Sequence, residues 1–320
     1  MIVLSAIGFA GTPTLARLAY DAGLNVPTTL TLRFSLAALL LWPLLLRRQW
    51  ALPRRRLGGL ALSSLLFAAN TGTFFLAIRY APATTVAVIF YSYPAVVTLL
   101  SILWLGERVT PLRATALGLA MLGCLLTLGF DLAGTDARGM LLAFASGCCY
   151  AGYIVLSSRV ARDIPVIVAS TWIMSGMGLL FGGGALLTGS LTFDFAPRGW
   201  FVLGILVVGG TVVAVLAFLG GIMRLGPSRA AIIATLEPVM AVALAALVLR
   251  EGIGPLRALG GVAILVAVLL LRLPMADAPR GERRGGSEHR RGRTGDADHA
   301  GAGGGVEDRD TARPDRHPVP

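Results

Sequence analysis

The sequence predicts an all-α integral membrane protein: ten transmembrane helices in two inverted five-helix repeats, followed by a disordered C-terminal tail. Three observations predict it: scarce charge, ten apolar segments of spanning length, and a match between two distant stretches of chain. Of 320 residues, 55% are hydrophobic and only 14% are charged, and the mean hydropathy is +0.75. A soluble domain carries about 25% charged residues. A chain this poor in charge cannot cover a water-facing surface, so the bilayer is the solvent that fits it.

A helix needs about 20 mainly apolar residues to cross the hydrocarbon core. In chain order the candidates are roughly 2–20, 29–46, 57–79, 83–105, 112–130, 138–158, 165–187, 199–223, 229–249 and 256–272. The first contains Pro13 and Arg17; the last is charge-free only over 258–271. Segments 57–78 and 80–106 carry no charge at all. The connections are short and marked by Pro, Gly and Arg. No cleavable leader is expected, because the first segment lacks a basic start and runs into another apolar stretch.

Every basic residue outside histidine is Arg, and the net charge is +11. In a soluble protein that balance suggests nucleic acid; here the Arg residues lie mostly between apolar segments, where anionic lipid and membrane orientation account for them and no nucleic-acid partner is expected. Beside the connections after helices two, four, six and eight stand eleven Arg (47, 48, 54, 55, 56, 108, 113, 159, 162, 224 and 229), against seven on the other side (17, 33, 79, 138, 198, 250 and 257). The positive-inside rule then makes both termini cytoplasmic in a multi-pass protein of the cell (plasma or inner) membrane. After Leu273 the chain turns to Gly, Arg, Asp and Pro with almost no large apolar side chains. Residues 273–320 are accordingly expected to be a disordered cytoplasmic tail, dispensable for insertion.

The cysteines Cys124, Cys148 and Cys149 lie in apolar runs without ligand or disulfide spacing, and His289, His299 and His317 all fall in the tail. No metal site and no cofactor is expected.

The internal match is the most informative feature. Ala77-Ile78-Arg79-Tyr80-Ala81-Pro82, Tyr93-Pro94-Ala95-Val96 and Gly106-Glu107-Arg108 through Arg113 answer to Ile222-Met223-Arg224-Leu225-Gly226-Pro227, Glu237-Pro238-Val239-Met240 and Arg250-Glu251-Gly252 through Arg257. Pro94/Pro238, Glu107/Glu251, Pro111/Pro255 and Arg113/Arg257 share one offset, 238 − 94 = 144 residues. Five predicted helices lie within it. An odd number brings the second copy in from the opposite face, the inverted repeat used by many secondary transporters.

With Leu32-Arg33-Phe34 in the second helix, Leu236-Glu237-Pro238-Val239 in the ninth and the Gly106-Glu107-Arg108 helix ending, the sequence resembles the EamA family of the drug/metabolite transporter superfamily. The resemblance covers two copies, residues 1–130 and 138–272. It implies ten helices and transport of small metabolites, often outward. The chain departs from the family pattern in a short first helix and in Arg250-Glu251-Gly252, where Gly-Glu is usual.

Pro94 and Pro238 fall inside predicted helices at matched places, where each removes a backbone donor and frees the carbonyl of Phe90 or Ala234. Such backbone is tolerated at membrane depth only against protein or a watery cavity, so these are either cavity-lining kinks or ordinary ones. Glu237 is the one acid well inside a helix, a place where ionisable groups serve pathways or carry protons; the plain alternative is a neutral or Arg-paired structural carboxylate. Arg33, about a turn inside its helix, either meets an anionic group of a substrate or snorkels to the interface. Asn70, Tyr91, Tyr93, Tyr150, Tyr153 and Trp172 are polar-capable side chains in apolar helices, cavity wall or packing. Glu107 and Glu251 end helices, where an acid is unfavourable, and pairing with a nearby Arg is the expected remedy. The whole reads as a secondary transporter and exporter of amino-acid-like or drug-like solutes, with protons as a candidate coupling ion. A lipid or lipid-linked flippase is the alternative; an integral membrane enzyme would need clustered His, Asp or Glu that the body lacks.

Overall fold

The computed structural model describes residues 1–47, 52–129, 135–249 and 254–271, all within one compact unit. The expected tail, the Arg48–Ala51 stretch, residues 131–134 and Glu251 lie outside the described residues. The described chain is helical and contains no strand. The first span is α1 (Ile2–Ala10) and α2 (Thr12–Asp21), broken at Gly11; α3 (Val26–Arg47) and α4 (Arg54–Ala77) are the second and third. The fourth is α5 (Ala83–Phe90) with α6 (Tyr93–Leu105), followed by α7 (Pro111–Leu128), α8 (Ala137–Val160) and α9 (Val166–Leu187). The eighth is α10 (Pro197–Val207), a π-helical turn (Val208–Val213) and α11 (Ala214–Leu225). The ninth is α12 (Pro227–Ala234) with α13 (Leu236–Leu249), and α14 (Pro255–Leu270) is the tenth. Nine spans among the described residues are long and apolar enough to cross a membrane, and α14 is shorter.

The ends follow from local chemistry. Pro111, Pro197, Pro227 and Pro255 open their helices, where a missing amide proton costs no hydrogen bond. Thr110 and Asp136 cap α7 and α8 by accepting from the amides of Arg113 and Arg138. Gly106, at φ +67, turns the chain out of α6: its amide and that of Glu107 bond back to Ile102 and Ser101, as a left-handed stop requires.

Large apolar side chains cover the outside: Leu187 is 91% exposed and Phe201 75%. Water would reject that surface and lipid accepts it, which makes this a multi-pass membrane protein. The inside is closed by small residues. The main pairs are α4 on α8, α3 on α9 and α7 on α14. At the last crossing a Cβ on Gly123 would stand 2.8 Å from the carbonyl oxygen of Gly260, and one on Gly260 would stand 2.7 Å from that of Gly123. Two backbones touch there, as small residues permit between helices in lipid. Gly260→Leu is expected to cost about 1–3 kcal/mol by overpacking, read as a lower unfolding temperature in detergent; an unchanged temperature would show that the crossing relaxes freely.

Candidate functional site

The two proline-bearing spans break at matched places. α5 ends at Phe90 and α12 at Ala234, each four residues before its proline, and the helix resumes at Tyr93 and at Leu236. The missing amide at Pro94 and Pro238 explains both positions. The interrupted backbone is covered by protein: Gly147 of α8 lies so close to the Phe90 carbonyl that a Cβ there would be 3.1 Å from it. At the other break the Thr235 hydroxyl donates to Ile232 at 2.6 Å. The two broken spans meet, because the Tyr93 hydroxyl reaches the Ala231 carbonyl of α12 at 3.5 Å.

Glu237 stands in the first turn of α13, beside this junction, ten residues from the start of the ninth span. That is the helix end where a negative charge is electrostatically at home. Its carboxylate accepts a hydrogen bond from Tyr91 and stands within electrostatic range of Arg33. Tyr93, Cys124 and Tyr150 complete its polar surroundings. Around it aromatic rings pack together: Tyr93 and Tyr150 edge to face with centroids 4.9 Å apart, and Phe90 and Tyr150 tilted at 5.5 Å. Glu237 is partly exposed.

Arg33 is held by the eighth span. Its Nε donates to the Thr211 hydroxyl at 2.6 Å and its Nη2 to the Gly210 carbonyl at 2.8 Å, both in the π-helical turn. The Thr211 hydroxyl in turn donates to Leu206, five residues back, at 3.0 Å. A π-turn leaves backbone acceptors out of the α pattern, and the guanidinium fork meets one of them. Arg33 also lies over the Phe34 ring, 5.3 Å from its centroid. Nothing in an apolar run marks a π-turn.

Other candidate positions lie elsewhere. Asn70 is buried between α4 and α8, where its side-chain oxygen accepts from Ser146 at 2.7 Å. Trp172 packs edge to face on Trp42, 5.6 Å between centroids, at the α3–α9 contact. Tyr153, 1% exposed, stacks on Phe67 at 4.7 Å. Glu107 was expected to pair with a nearby Arg; the contact found for its carboxylate is with the Ser228 hydroxyl, which donates to it at 2.6 Å. Gly106 turns the chain so that Glu107 sits over the start of α12, an N-terminus that welcomes an acid. Ser228→Ala is expected to lower stability by about 1 kcal/mol, seen as a small drop in unfolding temperature; no drop would make the contact incidental. Arg56 forms an ion pair with Asp163.

The described residues thus form a polytopic helical membrane protein with an interior carboxylate at the junction of two broken spans. The EamA-like transporter family model matches residues 1–129 and again 137–273, and the chain belongs to that family. It is 31% identical over 271 residues to an uncharacterized transporter of Archaeoglobus fulgidus, covering 84% of this chain and 94% of the relative. Uncharacterized transporter YcbK of Bacillus subtilis is 24% identical, covering 81% of this chain and 87% of the relative. An uncharacterized transporter of Synechocystis sp. is 27% identical over 206 residues, 62% of this chain, and that match spans 61% of the relative's length. A crystal structure at 21% identity has the same fold, with a TM-score of 0.72 over 85% of this chain and 95% of the other. Family and relatives together make this a membrane transporter.

Proposed function

We infer that the protein is a secondary transporter of small amino-acid-like or drug-like solutes, working outward by alternating access between two inverted five-helix halves, with Glu237 as its proton-carrying group. The observation that carries the reading is the junction itself: two spans broken at positions 144 residues apart, touching through Tyr93 and Ala231, with a carboxylate on the inside. Broken helices that present their N-termini to an interior site are how transporters bind solutes at membrane depth. An ionisable group inside a membrane span is costly and is read by default as a functional site, here a proton site.

The packing supports the inverted arrangement. Under exchange of the halves, α3 on α9 and α7 on α14 map onto themselves, while α4 on α8 maps onto the eighth span on α1. Arg56 at the start of the third span reaches the loop holding Asp163, and Arg198 at the start of the eighth reaches the Asp21 carbonyl at 2.7 Å. These are equivalent contacts at what the reading makes opposite faces. The same reading puts the termini in the cytoplasm of a plasma or inner membrane.

The test is transport in proteoliposomes against a panel of amino acids and hydrophobic amines, with and without an imposed pH gradient. Accumulation of a panel solute that follows the gradient is expected. Flux indifferent to pH leaves a transporter without proton coupling, and no flux of any solute removes the reading.

A further inference from the structure

The two broken spans pack unevenly across the halves. Under exchange of the halves α12 answers to α5, α6 to α13 and α7 to α14. α12 packs on α6 and α7, whereas among the described residues α5 makes no comparable packing on α13 or α14. The broken spans are therefore drawn together at one end and not at the other. The joined end is where α6 stops and α12 starts, and the inverted reading makes it the cytoplasmic one.

Polar contacts close the same end. Ser228, in the first turn of α12, donates its hydroxyl to the Glu107 Oε2 at 2.6 Å, and a Cβ on Gly226 would stand 3.3 Å from the Oε1. Both carboxylate oxygens thus lie against the start of α12. A hydrogen bond to an ionised carboxylate is roughly twice as strong as a neutral one, and the acid meets the helix end that favours it. Arg159, in the last turn of α8, donates to the Trp104 carbonyl in the last turn of α6, so the end of α6 is held from two sides. Further in, the Tyr93 hydroxyl reaches the Ala231 carbonyl at 3.5 Å. Ser228 and Ala231 are three residues apart and share a face of α12; that face follows α6 from its end back to its start.

We propose that Glu107 and Ser228 are positioning residues that latch the inner ends of the two broken spans, so that this conformation is shut at the cytoplasmic end and the transport cycle must part them. The breaks at Phe90–Tyr93 and Ala234–Leu236 are the natural hinges, because helical continuity is already lost there. With the pair joined, α12 lies on α6 and the end is closed. With it parted, α12 swings from α6 and the end opens. The inference rests on the alternating-access reading above and adds to it the contact that must break.

The first measurement needs no solute. Ala231→Cys is placed in the full chain with Cys124, Cys148 and Cys149 replaced, and its reaction with a membrane-impermeant thiol reagent is timed in inside-out vesicles. Ser228→Ala is expected to speed labelling about tenfold, and Ser228→Thr, which keeps the hydroxyl, to leave it slow. Ser146→Ala removes a buried hydrogen bond of the same kind at the α4–α8 contact and is expected to leave it slow as well. An unchanged rate in Ser228→Ala overturns the proposal, as does an equal rise in Ser146→Ala, which would be general loosening. The second measurement joins Glu107→Cys to Ser228→Cys with a short bis-methanethiosulfonate cross-linker in proteoliposomes. Flux is expected to fall about tenfold or more and to return with reductant; full flux through the cross-linked protein would show that the two ends never part and overturns the latch. If the double variant carries no flux before cross-linking, the labelling rates decide. Solute flux in the unmodified protein with labelling indifferent to Ser228→Ala overturns the latch alone, whereas no flux of any solute overturns the functional reading and this inference with it.

Discussion

Glu237→Gln is expected to abolish solute accumulation driven by a pH gradient, on the order of a tenfold fall or more, while the protein inserts and folds normally. The substitution keeps volume and hydrogen-bonding capacity, so the Tyr91 contact has a replacement acceptor in the amide oxygen. What it removes is the titratable group. Because Glu237 stands at the first turn of a half-helix, inside the bundle and next to the other broken span, its charge acts where the two halves meet. Flux down the solute's own gradient is expected to persist. Accumulation equal to the unmodified protein's would make Glu237 a tolerated carboxylate and leave a facilitator without proton coupling.

Pro94→Ala and Pro238→Ala are expected to slow turnover several-fold without loss of folded protein. A mid-helix proline costs about 3 kcal/mol relative to alanine, and each sits four residues after the break it causes. Alanine restores an amide that can bond the Phe90 or Ala234 carbonyl and heal the helix. Stability is therefore expected to hold or rise, by up to about 1–3 kcal/mol, while the junction stiffens. Turnover and unfolding temperature measured on the same preparations check it. Unimpaired turnover in both variants would mean that the breaks are packing features and not moving parts.

Most of the fold was legible because each span announces itself by composition and each end by a proline, a glycine or a cap. Pro111, Pro227 and Pro255 marked helix starts to within a residue or two of where they fall. The helix breaks were legible for the same reason, since a proline dictates which carbonyl is freed. The site was legible only in part. Glu237 and the tyrosines Tyr91, Tyr93 and Tyr150 could be singled out as polar groups in apolar helices, and the structure gathers them; Asn70 and Trp172 carry the same signal and are spent on the α4–α8 and α3–α9 contacts. No local rule separates the two fates, because the difference lies in which helix face looks inward. The hydrogen-bond partners of Arg33 were hidden for a stronger reason. They lie in a π-turn in a different span, 177 residues away, whose sequence is simply apolar. The contact of Glu107 with Ser228 was not foreseen because nearby arginines were weighed and a helix N-terminus from the other half was not.

The central claim is that the two halves enter the membrane from opposite faces and enclose one site. It is tested most directly by single cysteines at the matched connections Tyr80 and Leu225, introduced after replacing Cys124, Cys148 and Cys149, and probed with a membrane-impermeant thiol reagent in intact and permeabilised cells. Five membrane-length helices separate the two positions. The account predicts labelling of Tyr80→Cys in intact cells and of Leu225→Cys only after permeabilisation. Labelling of both from the same side would contradict it.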